Sequence, residues 1–326
     1  MKIAIVKGDG IGQEVIPPAE KILRHFLPGA EYFDVKVGYE KWKETGTACT
    51  DDDIKKLKSA DAILFGAITT PPDPDYKSVI MKIRHELDLY ANLRPVKGDG
   101  FDIMVVRENT EGLYSGIEEI GEERSTTLRV ITRKGSERIA KAACELAIKR
   151  GSTKPVVIGN KANVLKSDVL FRDTCIGVCK SYGLEYKTMF IDALTLDVLM
   201  QPSNYDVIVT TNIFGDILSD ACGYLTGGLG MLPSANIGDA HAFFEPVHGS
   251  APDIAGKNIA NPIAAIRSAG MLLDHFGYCE YAALVEKAIS ASVSMGVCTK
   301  DLGGNYGTKE TGEYILTEII KEEKSD

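Results

Sequence analysis

Short apolar runs alternate with longer stretches of helical spacing along almost the whole chain. Residues 2–6 read as a strand, Gly8-Asp9-Gly10-Ile11-Gly12 as a turn, and residues 13–26 as a helix. A strand is predicted at 32–37, a charged helix capped by Thr50 at 51–59, and a buried strand at 62–65. The proline- and aspartate-rich stretch 69–75 predicts a loop, and 79–87 a helix. Further strands are predicted at 102–106, 156–158, 186–191 and 206–210, with an exposed, alternating one at 128–132. Helical spacing recurs at 136–150, closed by Gly151, and at 168–182, 216–225, 262–276, 281–295 and 311–321. Only 321–326 reads as a frayed end. This strand–helix alternation argues for α/β layers.

Composition narrows the class. With 326 residues, 44% hydrophobic and 25% charged, the chain is long enough for a large core and roughly two domains. Its apolar runs are strand-sized, far short of the ~18 residues that span a bilayer, so no membrane partner is expected. Residues 1–6 lack the charged and apolar regions of an export signal, which predicts a cytoplasmic protein. A net charge of −9 argues against a nucleic-acid partner. An anionic substrate would need cations gathered locally, which singles out Arg84, Arg94 and Arg107. The seven cysteines form no Cys-x-x-Cys and read as reduced, buried thiols.

Individual motifs leave alternatives open. The glycine turn at Gly8–Gly12 departs from the dinucleotide fingerprint, because Gln13 stands where its last glycine belongs. Asp216 and Asp220, four apart, share a helix face that is either merely solvated or holds a hard cation such as Mg²⁺ or Mn²⁺. Arg84, Arg94 and Arg107 are separate surface residues or, together, a clamp for a di- or tricarboxylate. Lys161, just after a strand, is a surface charge or a base, and Tyr114 a packed ring or a proton donor. The polar loop 245–257 leads into a helix through Asn261-Pro262 and suits a phosphate or an adenosine.

Jointly these motifs resemble the β-decarboxylating dehydrogenases, the isocitrate, isopropylmalate and homoisocitrate enzymes. The resemblance is carried by Asp88-Leu89-Tyr90-Ala91-Asn92-Leu93-Arg94-Pro95, Arg107-Glu108-Asn109-Thr110-Glu111, Lys161-Ala162-Asn163-Val164, Asn212-Ile213-Phe214-Gly215-Asp216 and the loop from His248 to Asp253. It extends over nearly the whole chain, from Gly8 to Gly304. It implies a two-domain α/β fold of the isocitrate/isopropylmalate dehydrogenase type, not a dinucleotide-binding Rossmann fold. The large domain would comprise 1–98 and 228–326, the small one 99–227. The protein would be a homodimer, or a tetramer, with sites shared between subunits, and 128–132 would fall in an intersubunit β element.

The resemblance also implies chemistry: NAD-dependent oxidative decarboxylation of a (2R,3S)-3-substituted malate with Mg²⁺ or Mn²⁺. Asp216 and Asp220 would hold the metal from one subunit and Asp192 from the other. Lys161, also from the other subunit, would be the base and Tyr114 the acid. Arg84, Arg94 and Arg107 would bind the malate carboxylates. Ser78, Ile80, Met81 and Asn163 would line the variable substituent and the nicotinamide. His248, Gly249, Ser250, Ala251 and Asn261 match the adenosine site. Asp253-Ile254 matches the acid-plus-apolar pair of NAD-dependent members. Lys77, seven residues before Arg84, would share its helix face and favour a third carboxylate. Tyr76-Lys77-Ser78 looks most like homoisocitrate enzymes, so homoisocitrate or isocitrate is expected ahead of 3-isopropylmalate. A catalytically silent regulatory subunit is the alternative of another class.

Overall fold

A computed structural model describes residues 1–73 and 76–324. Pro74 and Asp75 of the expected loop, and Ser325 and Asp326 of the expected frayed end, lie outside the described residues. The chain begins β1 (Lys2–Gly8), α1 (Gly12–Phe26), β2 (Glu31–Asp34), α2 (Tyr39–Thr45), α3 (Asp51–Lys58), β3 (Ala62–Ala67) and α4 (Val79–Glu86). It continues with β4 (Ala91–Gly98), β5 (Phe101–Glu108), β6 (Glu118–Glu119), β7 (Thr126–Thr127), α5 (Arg133–Lys149), β8 (Val156–Asn160) and α6 (Ser167–Ser181). After β9 (Tyr186–Phe190) come α7 (Ile191–Met200), β10 (Val207–Thr210), α8 (Asn212–Cys222), β11 (Pro233–Ile237) and β12 (Ala242–Pro246). Helices α9 (Ile263–His275), α10 (Cys279–Ser294) and α11 (Thr308–Glu323) close it.

The chain divides into two compact units. The first comprises Met1–Leu87, Gly227–Ala235 and Ala240–Asp326. Its strands β2, β1, β3 and β12 lie side by side and parallel, with Ile5 opposite Leu64 and Phe244 opposite Leu64 on the other edge. Ile3, Ile5, Phe65, Phe243 and Phe244 are at most 1% exposed, so this sheet is covered on both faces. Thr50 caps α3 in a reciprocal capping box with Asp53, as its position predicts.

The second unit comprises Asp88–Thr226 and Asn236–Asp239. Strands β4 and β5 form an antiparallel pair with Ala91 opposite Glu108, and β5, β10, β8 and β9 continue in parallel. Helices α5 and α6 pack Ile139, Ala143, Phe171 and Cys175 against Val106, Ile158 and Val209. A boundary at 98/99 would separate β4 from its partner β5; the unit instead begins at Asp88.

Several expectations need correction. Residues 128–132 are not a strand in this chain. Only the single bridge Gly112–Val130 forms there, and Thr132 turns to cap α5, its Oγ1 accepting from the Gly135 N–H at 2.9 Å. An alternating exposed segment becomes a strand only where an edge is offered to it. Conversely, the apolar pattern misses β4, because Asn92, Arg94 and Lys97 interrupt it and Pro95 discourages a strand. Cys279 is exposed, whereas the other six cysteines are buried as expected. Among the described residues no helix is long and apolar enough to cross a membrane.

The turn at Gly8–Gly12 serves the fold. Ile11 N–H donates to the Ser250 carbonyl at 2.8 Å, and Gly10 (φ +55°) lies so close that a Cβ would sit 2.0 Å from that oxygen. Its Asp9 is buried and accepts from the amides of Tyr39, Glu40 and Thr69. With these groups already engaged, the turn supports the loop at Ser250 rather than a phosphate.

Candidate active site

In the second unit, α8 presents Asp216 and Asp220 one turn apart, and strands β4 and β5 present two arginines to them. Arg107 is 1% exposed. Its Nε and Nη2 donate to the Asn212 backbone and side-chain oxygens at 2.8 and 2.7 Å, leaving Nη1 to meet Asp216 Oδ1 at 2.7 Å. Gly215 explains the closeness: a Cβ there would stand 2.7 Å from Arg107 Cγ. Arg94 Nε donates to Asn92 Oδ1 at 2.8 Å. Its Nη1 reaches Ser219 Oγ and Asp220 Oδ1 at 2.8 and 2.9 Å, and its Nη2 reaches Asp216 at 3.0 Å. The Tyr114 hydroxyl donates to Asp216 Oδ2 at 3.0 Å. Burial pushes the Asp220 carboxyl above its ordinary range; Arg94 opposes this and the Asp216 charge adds to it.

These contacts bring together five residues that the sequence singled out: Arg94, Arg107, Tyr114, Asp216 and Asp220. Asn92, Asn212 and Ser219, which orient the arginines, were not singled out. A signal existed for Asn92, since residues two apart on a strand share a face.

Lys161 and Asp192 form a second cluster in this unit. Lys161 follows β8, and its Nζ lies 2.5 Å from Asp192 Oδ1 in the first turn of α7 and 5.8 Å from the Phe190 ring centroid. The bond to Lys161 holds the Asp192 carboxyl below its usual value. Asn163, two residues on, is exposed.

Two aspartates on one helix face offer hard oxygen donors, and the neighbouring charge that disfavours ionising both is what a divalent cation would offset. Among the described residues no three acidic, histidine or cysteine side chains converge. Asp216 and Asp220 are the two residues here that could offer oxygen ligands to such a cation.

The first unit holds the remaining candidates. Arg84, on the buried face of α4, donates from Nη2 to Glu245 Oε1 at 3.2 Å, while its buried Nε has no partner among the described residues. Ser78 caps α4, accepting from the Met81 N–H at 3.4 Å, and Ile80 and Met81 are partly buried. Lys77 corrects an expectation: it precedes the cap, outside the helix, so a seven-residue spacing does not place it on the face of Arg84. Its side chain is exposed.

The loop after β12 carries the adenosine candidates. His248 Nδ1 lies 3.0 Å from the Gly249 carbonyl, and Nε2 is buried without a partner among the described residues. Burial pushes its imidazole below the usual value, favouring the neutral ring. An orphaned ring nitrogen in this loop fits a group that hydrogen-bonds there. Ser250 is buried, with Oγ 2.7 Å from Thr69 Oγ1. Ala251 has a positive φ of 37°. Asn261 is committed to the fold: Oδ1 accepts from Ile263 N–H at the start of α9, and Nδ2 donates to Asp301 at 3.0 Å. Asp253 is exposed and Ile254 partly buried.

The units thus define an α/β protein in which arginines face paired carboxylates and a lysine–aspartate pair stands at a strand end. Residues 2–315 match the family model described as isocitrate/isopropylmalate dehydrogenase. Homoisocitrate dehydrogenase of Methanocaldococcus jannaschii is 46% identical, over 99% of each chain. The 3-isopropylmalate/3-methylmalate dehydrogenase of the same organism is 45% identical, over 98% of this chain and 99% of that one. The crystal structure of isocitrate dehydrogenase from Methylococcus capsulatus aligns with a TM-score of 0.93 and 38% identity, covering 98% of this chain and 99% of that one. The chain belongs to the isocitrate/isopropylmalate dehydrogenase family, and its fold is the α/β fold of those enzymes, not a Rossmann fold. That membership supports a decarboxylating dehydrogenase.

Proposed function

We propose that the protein catalyses NAD-dependent oxidative decarboxylation of a (2R,3S)-3-substituted malate, with homoisocitrate or isocitrate as substrate. The observation that carries this reading is the cluster in which Arg94 and Arg107 are racked by buried bonds beside Asp216, Asp220 and Tyr114. Arg84, Arg94 and Arg107 bind the malate carboxylates, as guanidinium forks suit. Asp216, Asp220 and Asp192 of a second copy hold Mg²⁺ or Mn²⁺. The Lys161–Asp192 bond supports their delivery together to a neighbouring copy's site in a homodimer or larger oligomer.

Held by Asp216 and Asp220, a divalent cation would supply the positive charge that polarises the C2 oxygen, and NAD beside the 248–254 loop would supply the acceptor for the C2 hydride. Lys161 takes the C2 hydroxyl proton. The arginines hold the remaining carboxylates while the β-carboxylate departs as CO₂. Tyr114, whose hydroxyl already points its proton at a carboxylate, returns a proton to C3. His248, Gly249, Ser250, Ala251 and Asn261 flank the adenosine. The exposed Asp253 carboxylate, beside Ile254, accepts from a ribose 2′-hydroxyl and repels a 2′-phosphate.

Lys77, with Ser78, supports a substrate bearing a third carboxylate, and Asn163 with the partly buried Ile80 and Met81 flanks the substituent. The near-equal identity to a 3-isopropylmalate/3-methylmalate enzyme favours 3-isopropylmalate as the second reading. Initial rates of NADH formation with homoisocitrate, isocitrate and 3-isopropylmalate, each with Mn²⁺, separate the two. Higher kcat/KM for either tricarboxylate is expected. A preference for 3-isopropylmalate removes the substrate assignment, and no turnover of any of them removes the function.

A further inference from the structure

Lys161 can act as a base only if its backbone is held while its side chain reaches out. β8 ends at Asn160, and the Lys161 N–H donates to Asp168 Oδ2 at 2.7 Å. The next amide, Ala162, donates to Asn160 Oδ1 at 3.1 Å, and the Lys161 carbonyl accepts from Val164 and Leu165 at 3.0 and 2.8 Å. Asp168 has no exposed surface. A carboxylate so buried requires a cation and hydrogen bonds around it.

The cation is Arg129, whose Nη2 lies 2.6 Å from Asp168 Oδ1. The same guanidinium donates from Nη1 to Ser167 Oγ at 2.6 Å and from Nη2 to Thr211 Oγ1 at 3.1 Å, and lies 5.4 Å from the Phe214 ring centroid. Ser167 opens α6, Thr211 is the residue before α8, and Phe214 lies in α8. One arginine therefore ties the loop that carries Lys161 to the start of the helix that carries Asp216 and Asp220.

We propose that Asp168, held by Arg129, is a positioning residue for Lys161. Neither side chain contacts reacting atoms. Both act through the Lys161 amide and the first residues of α8. The proposal rests on Lys161 being the base, but the geometric half of it can be read without turnover.

The test uses the intact enzyme and the variants D168A, D168N, R129M and R129K. Hydrogen exchange of 159–168, without substrate, is expected to rise by at least ~10-fold in D168A and R129M, with 101–108 unchanged as control. In the same variants kcat should fall by at least ~30-fold while substrate KM stays within ~3-fold, since a base displaced by about 1 Å costs on that order. The limiting pKa of the kcat–pH profile should shift with it. R129K, which keeps the charge, should recover most of the kcat. If D168A does not fold, D168N carries the test: it keeps volume and one acceptor, and intermediate exchange with a ~10-fold lower kcat is expected. Unchanged exchange in 159–168, or a rise shared equally by 101–108 with kcat and KM lost together, would overturn the proposal. A wild type that turns over no malate defeats the function reading instead, while the exchange data still judge the pair.

Discussion

Arg107, in the second unit, is 1% exposed and spends three of its nitrogens on Asn212 and Asp216. Lys77 and Asp253, in the first unit, are exposed, and neither has a side-chain hydrogen bond or ion pair among the described residues. One region is wired before anything binds; the other is left open. A buried guanidinium cannot be left unpaired without a cost of about 3–5 kcal/mol, so its partners are obligatory and its position is fixed. An exposed charge contributes about 0–1 kcal/mol and can be exchanged freely. Steps common to every 3-substituted malate suit the first kind of residue, and the choice of substituent or cofactor suits the second.

The comparison predicts a hierarchy of effects. Lys161→Met should lower kcat by at least ~100-fold, the scale of a lost general base, with KM little changed. Stopped-flow or steady-state NADH formation measures it, and near-normal turnover would remove the wired half from the chemistry.

Next comes cofactor choice. The wild type should prefer NAD over NADP by ~100-fold in kcat/KM, because binding a 2′-phosphate against Asp253 would take two like charges out of water together, which costs several kcal/mol although the free carboxylate is exposed. Asp253→Lys with Ile254→Tyr should move the preference toward NADP with little change in thermal stability, since the loop around Asp253 is exposed. Equal kcat/KM with both cofactors in the wild type would sink this reading.

A smaller effect is expected at Lys77. Because its side chain is exposed and outside α4, Lys77→Glu should cost a tricarboxylate substrate only about 5-fold in kcat/KM, the scale of a solvated ion pair. Turnover of 3-isopropylmalate should be unchanged or better. A loss beyond ~100-fold would mean that Lys77 becomes enclosed on binding.

The smallest effect lies beneath that open segment. Tyr76 is 7% exposed, its hydroxyl has no partner among the described residues, and burial, with some help from the Asp9 charge, pushes the phenol up to about 12. The unfolded chain ionises near 10, so this group's stability is complete below pH 10 and is lost as pH rises from there toward 12. Tyr76→Phe should leave stability near pH 7 within about 0.5 kcal/mol and flatten the decline above pH 10. Trp42, the chain's single tryptophan, has its ring centroid 5.7 Å from that of Tyr76, so its fluorescence reports the melt. An alkaline decline identical to the wild type would remove Tyr76 as its source.

Much of this was legible in the residues. The spacing of Asp216 and Asp220 and two of the three arginines, Arg94 and Arg107, marked groups that meet within the second unit; Lys161 pairs with Asp192 apart from them, and Arg84 lies in the first unit. Element positions followed where periodicity was clear, as in α1, α3 and α5. The reading failed where tertiary pairing overrides local pattern. β4 forms through a polar, proline-containing run because β5 offers it eight aligned partners, from Ala91 opposite Glu108 to Gly98 opposite Phe101. Residues 128–132 alternate like a strand yet form only one bridge, at Val130, and one further backbone bond, from the Leu128 N–H to the Ile117 carbonyl.

By itself the sequence determined the α/β class, the family and the chemical types at the site, because periodicity and motif order are local properties of the chain. Tertiary structure decided which arginine meets which carboxylate and that Lys77 stands outside α4. It also decided that the Gly8–Gly12 turn braces Ser250 and that Arg129 reaches Asp168 and Thr211. Those facts depend on where residues distant in the chain come to rest. Burial then turns such a meeting into an obligation, because a charge removed from water must find its partner in the fold.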